Sequence, residues 1–132
     1  MISDSIADLI AQARTYDLER DKMFDLASPE AIDQEYNGIG PEWLPESIRQ
    51  WMTSEFGYFA AAAMIHDWDY ACYPYRDAKG FWLVNERLRK NCHKLLAKGC
   101  PWWKRPLYAM RANALADACQ KFGWDAWQQA VK

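Results

Sequence analysis

The run Phe59–Tyr70 (FAAAAMIHDWDY) sets His66 beside Asp67, with Tyr70 four residues after the histidine, near the end of an apolar, alanine-rich stretch. An imidazole so placed can take a proton from water, and a carboxylate can hold a neighbouring cation. Burying either charge is costly unless it is paired or ligates something. On a helix, residues 62, 66 and 70 share one face while Asp67 projects about 100° away. One short helix can therefore aim the imidazole and the carboxylate in different directions. For the pair taken alone, a core histidine with a solvated aspartate beside it is the preferred reading.

The elements that must carry this group read as helices throughout, and no strand pattern is evident. Residues 4–24 carry Ile6, Leu9, Ile10 and Ala13 on one face, with Ser3 or Ser5 as cap. Ser28–Pro29 reads as the cap and first residue of a short helix. Residues 37–41 (NGIGP) form a loop, because two glycines and a proline break helical spacing. Pro45 starts another helix, and Gly57 separates it from the His66 helix. Tyr73 to Gly80 is a connector. Residues 81–97 form the most regular helix, with Phe81, Val84, Leu88, Cys92 and Leu95 inward and Glu86, Arg87, Arg89 and Lys90 outward. Asn85 falls on the inward edge of that stripe. Gly99 to Pro106 is a second loop. Tyr108, Ala112, Leu115, Cys119 and Phe122 make the apolar face of a helix over 107–121, which Gly123 ends.

A length of 132 residues fits one domain with a modest core, and a hydrophobic fraction of 51% argues against disorder. No apolar run approaches the ~18 residues of a transmembrane helix. Residues 1–8 (MISDSIAD) carry no basic or apolar leader pattern, so no signal peptide is expected. Cys72, Cys92, Cys100 and Cys119 lack CxxC spacing, which gives zinc no support and leaves reduced thiols in a cytoplasm as the expectation. Charge is uneven. Residues 1–70 hold fourteen acidic and four basic side chains, residues 71–132 four and twelve, so −10 faces +8 within a net −2. That basic half either seeks an anionic partner or complements the acidic half within the fold or a dimer; the internal explanation is preferred.

Three pieces stand in order: Tyr36–Pro41 (YNGIGP), Ala63–Tyr70 (AMIHDWDY) and Val84–Cys92 (VNERLRKNC), followed by Arg111–Ala112 and Phe122–Gly123. This order resembles the phospholipase A2 superfamily over residues 36–124. It is closest to compact, disulfide-poor members such as viral capsid phospholipase domains and small tailed-phage proteins. The resemblance implies an all-α single domain, with residues 1–30 as an N-terminal arm and two central antiparallel helices at about 57–73 and 80–97. It implies a calcium-dependent lipid ester hydrolase, intact or degenerate, phage or prophage encoded, in a host cytoplasm or virion. His66 would be the general base, oriented by Tyr70 and Asn85. Asp67 and the carbonyls of Gly38, Ile39 and Gly40 would hold Ca²⁺. Two positions depart from the family pattern. Asn85 stands where the family has aspartate, a swap that costs roughly 10⁴ in kcat in a different catalytic architecture. The glycine loop runs on into Pro41, Glu42 and Trp43, where more glycine is usual. The alternative is a non-catalytic phage morphogenesis or host-interaction protein on the same scaffold.

Other residues carry weaker signals. Trp102, Trp103, Lys104 and Arg105 pair indole rings with cations, which suits a phospholipid surface or a loop packed over the core. Arg87, Arg89, Lys90, Lys94 and Lys98 form either a solvated face or a phosphate track; with no recognition motif, nucleic acid ranks last among partners. His93 reads as a surface residue. Tyr73, Tyr75 and Trp82 would line an acyl groove or pack in the core, with packing preferred. Neither a protein partner nor an oligomeric state follows from the residues.

Overall fold

A computed structural model describes residues 4–36, 44–48, 50 and 58–130 of the chain. The chain folds as α1 (Asp4–Thr15), α2 (Lys22–Leu26), α3 (Pro29–Glu35), α4 (Ala60–Cys72), α5 (Ala78–Gly99), α6 (Arg105–Phe122) and α7 (Trp124–Gln129). No strand occurs among the described residues. The fold is all-α.

Helix α4 is the axis. Phe59, Ala60 to Ala63, Met64 and Ile65 are all buried, and the small alanine side chains let α1, α3 and α5 close on it. The connector after α4 turns sharply. Asp77 caps α5 by accepting a hydrogen bond from the Gly80 N–H at 2.8 Å. A Cβ on Gly80 would land 1.8 Å from the Tyr75 carbonyl oxygen, so the connector can lie against the first turn of α5 only over a glycine. Tyr70 near the end of α4 meets Phe81 near the start of α5, while the earlier His66 meets the later Asn85. That reversed order makes α4 and α5 antiparallel neighbours. Helix α6 packs along α5, and α7 folds back on α4 and α6.

The N-terminal residues join this core. Ile6, Ile10, Ala13, Leu18 and Phe24 are buried in the same cluster as Met64, Ile65, Leu88 and Leu95. The apolar spacing predicts one helix over 4–24, but α1 stops at Thr15. Asp17 adopts φ 50°, the Leu18 N–H bonds the Ala13 carbonyl at 2.9 Å and the Asp17 N–H bonds the Arg14 carbonyl at 3.2 Å. This is a Schellman ending with aspartate in the position glycine usually takes. Lys94 of α5 then donates to the Asp17 carbonyl at 2.6 Å, so contacts distant in sequence replace the lost helical bonds.

Charges also settle inside the fold. Arg87, expected on the outer face, is half-buried and bridges Asp69 at 3.2 Å and Asp21 at 3.0 Å. Arg89 pairs with Glu86 and Asp117, and Lys90 reaches Glu19. Two cations of the basic half, Arg87 and Lys90, thus meet carboxylates of the acidic half, while Arg89 pairs within its own half. The second core cluster gathers Tyr70, Phe81, Val84 and Trp127. Helix α7 has six residues, too few to persist alone, and is held by the fully buried Trp127. The Arg76 guanidinium lies 3.7 Å over that ring and donates to the Trp127 carbonyl at 2.6 Å. Gly123 does separate α6 from α7, but at φ −88°, as an ordinary right-handed joint rather than a left-handed stop. Phe122, expected inward, is exposed.

Candidate functional site

His66 and Tyr70 sit one turn apart on the α4 face that meets α5, and Asn85 faces them from a fully buried position on α5. The His66 Nε2 lies 2.7 Å from Asn85 Oδ1, and the Tyr70 hydroxyl donates to the same oxygen at 3.1 Å. The two rings on α4 lie in tilted contact, with centroids 4.4 Å apart. Asn85 donates through Nδ2 to Gln120 Oε1 on α6 at 3.2 Å, and Gln120 donates to the Trp82 carbonyl at 3.0 Å and to Glu86 Oε2 at 3.3 Å. A polar line therefore runs from the buried imidazole, across α5, to the edge of α6.

Burial dominates the electrostatics. It pushes His66 down to about 4, against the hydrogen bond to Asn85 Oδ1, so the imidazole is neutral at neutral pH. It also raises the Tyr70 hydroxyl well above the ordinary phenol range, so that group stays a proton donor. His66 keeps 7% of its surface open.

Asp67 is half-buried and, one residue on, projects about 100° round α4 from His66. Its charge is felt at Tyr36, whose hydroxyl is pushed up to about 12, first by burial and then by Asp67. Tyr36 is the residue just before the glycine segment, and Gly38, Ile39 and Gly40 themselves lie outside the described residues. Asp67 supplies one hard oxygen of the kind Ca²⁺ takes, and no group of three or more acidic, histidine or cysteine side chains arranged for a metal occurs among the described residues. Asp69, two residues on, is committed elsewhere, accepting from Arg87 Nη1 through both of its oxygens at 3.2 Å.

Trp102 and Trp103 lie at the α5–α6 corner and are 77% and 63% exposed, so they do not pack over the core. Leu107 and Met110 extend the same face of α6 and are also exposed. Lys104 stands 5.0 Å from the Trp103 ring centroid. Arg105 has a second task, donating to the Cys100 and Ala97 carbonyls that end α5. Tyr75 and Trp82 are exposed rather than packed, and Tyr73 and Tyr75 line an open groove of about 300 Å³ with Leu83. His93 accepts or donates at Asn113 across the α5–α6 surface.

Sequence reasoning placed His66, Tyr70 and Asn85 on facing stripes, and they meet. It missed Gln120. The only signal in the chain is a polar residue directly after the inward-facing Cys119, which does not reveal that α6 delivers it to Asn85. No family model, curated protein or solved structure matches this chain.

Proposed function

We propose that the chain is a phospholipase A2-like lipid ester hydrolase, built on α4 and α5 as the two central antiparallel helices of that scaffold. The observation that carries the reading is the buried contact of His66 Nε2 with Asn85 Oδ1 at 2.7 Å, shared by Tyr70 and flanked in sequence by Asp67. His66 takes a proton from the water that attacks the ester carbonyl. Tyr70 and Asn85 hold the ring. Asp67 and the carbonyls of Gly38, Ile39 and Gly40 would hold Ca²⁺, which when bound supplies a Lewis acid for the carbonyl and its oxyanion. The position of Tyr36, the residue before Asn37, within the field of Asp67 supports this. The Trp102–Arg105 corner, with Leu107 and Met110, would seat the protein on a phospholipid surface.

A second reading draws on the same histidine. Asn85 brings no charge to stabilise an imidazolium, and a base held near 4 is weak at neutral pH. That favours a non-catalytic phage morphogenesis or host-interaction protein on this scaffold.

Fatty-acid release from phospholipid vesicles, with Ca²⁺ against chelator, separates the two. The hydrolase reading expects Ca²⁺-dependent release that His66→Gln abolishes and Asn85→Asp raises. It also expects Ca²⁺ to lift the melting temperature of wild type but not of Asp67→Ala. No release from wild type or from Asn85→Asp, with no Ca²⁺ shift, leaves the scaffold reading.

A further inference from the structure

Amides are directional, and the line leading out from His66 ends on acceptors. The Trp82 carbonyl has no proton to offer, and the Glu86 carboxylate beside it is itself bonded by Arg89. The Gln120 NH₂ therefore faces them, and its Oε1 faces inward. Oε1 only accepts, so Asn85 must present its NH₂ to it, at 3.2 Å. That leaves Asn85 Oδ1 for the two groups on α4, and Oδ1 cannot donate. The proton between Asn85 and His66 must then sit on His66 Nε2.

We infer that Gln120 is a positioning residue that sets the tautomer of His66: by clamping the Asn85 amide, it holds the imidazole in the Nε2–H form, with the lone pair on Nδ1. The clamp is needed because residue 85 is an amide. A carboxylate there would accept from Nε2 whichever way it turned. An amide rotated by half a turn would offer NH₂ to Nε2 and drive the proton to Nδ1. Tyr70 does not prevent that rotation, because a hydroxyl donates and accepts equally well. Among the described partners of Asn85, only Gln120 distinguishes the two orientations. Its bearing on catalysis rests on the hydrolase reading, in which the lone pair must be free to take a proton. The hydrogen-bond order does not rest on it.

The test is a long-range ¹H–¹⁵N spectrum of the histidine rings at neutral pH. The chain has two histidines, and a His66→Gln spectrum assigns the signals. Wild type is expected to show His66 protonated at Nε2 alone. Gln120→Leu is expected to show both tautomers, or a line broadened by their exchange. Adding Asn85→Asp to Gln120→Leu is expected to restore the single Nε2–H form, a rescue that a packing role would not produce. An Nδ1–H wild type, an unchanged spectrum in Gln120→Leu, or a failed rescue overturns the assignment. If Gln120→Leu does not fold, Gln120→Glu keeps an acceptor for Asn85 and must keep the Nε2–H form; its loss overturns the inference too. No substrate enters the measurement, so a failed hydrolysis assay leaves it standing and its own failure leaves the hydrolase reading to be judged separately.

Discussion

Asn91 binds both backbone polar groups of Glu19, accepting from its N–H at 2.7 Å and donating to its carbonyl at 2.9 Å. The side chain is fully buried on α5, and Glu19 lies in the turn that follows α1. One amide thus does for this turn what a strand partner does in a sheet. It also closes the turn at the point where Lys94 holds the Asp17 carbonyl.

Replacing Asn91 with leucine, which is similar in size, removes two buried hydrogen bonds and leaves the Glu19 groups without them. The expected loss is about 2–3 kcal/mol. Urea unfolding should show a lower midpoint at an unchanged slope. A midpoint equal to wild type would mean that water or a shifted backbone replaces the clamp at no cost.

Acid stability carries two opposed contributions. The folded state holds His66 near 4, below its ordinary 6.5, so between those values the unfolded chain binds a proton that the folded one refuses. His66 therefore contributes stability at neutral pH that is lost as pH falls from 6.5 toward 4, on the order of 3 kcal/mol in all. Asp69 acts in the other direction. Burial, against the pull of Arg87, raises it to about 7, so the folded state keeps a proton that the unfolded chain releases, and stability falls as pH rises from about 4 to 7. Wild type should look flat where the two cancel. Against His66→Gln, the free-energy difference should grow with pH across the His66 window by about 1.4 kcal/mol per unit. A difference that does not depend on pH would rule out a neutral buried imidazole.

The tryptophan corner separates stability from surface binding. Trp102 and Trp103 are mostly exposed, so changing both to alanine should alter folding stability by no more than about 0.5 kcal/mol per site. Association with anionic vesicles should weaken at least tenfold, since the indoles and Lys104 would carry it. Lys104→Gln is the cleaner charge change, because Arg105 also ends α5 through the Cys100 and Ala97 carbonyls. Equal sedimentation with vesicles for wild type and the double alanine variant would remove this surface from the lipid hypothesis.

Two glycines on α5 make a matched pair. Gly80→Ala would drive a methyl group to 1.8 Å from the Tyr75 carbonyl, and the backbone must move. A loss of about 3–5 kcal/mol is expected, at the high end for one substitution. Gly99, in the last turn, has open space around the same position. Gly99→Ala should be neutral or gain up to about 1 kcal/mol from helix propensity. Thermal melts of the two variants that move together would contradict the close approach at Gly80.

Much of the His66, Tyr70 and Asn85 triplet was legible because it depends on local period and one short connector. Residues 66 and 70 share a helical face at any tertiary arrangement. Five residues between α4 and α5 force the next helix to return alongside, and the inward edge of that helix then carries Asn85. The end of α1 was not legible. Aspartate takes the left-handed position at residue 17 only because Leu18 is buried and Lys94 and Asn91 hold the turn, contacts more than seventy residues away in sequence.

Composition and periodicity by themselves established an all-helical chain, the stretches that would be helical, and the faces that would turn inward, because each depends on residues three or four apart. They did not establish what each face would meet. Whether Arg87 would face water or bridge two aspartates, whether Trp102 and Trp103 would pack or protrude, and which residue of α6 would reach Asn85 were decided by how the helices cross. A helical face encodes its own apolar stripe but not the angle or register of its partner, and only the packing of α1, α4, α5 and α6 together sets those.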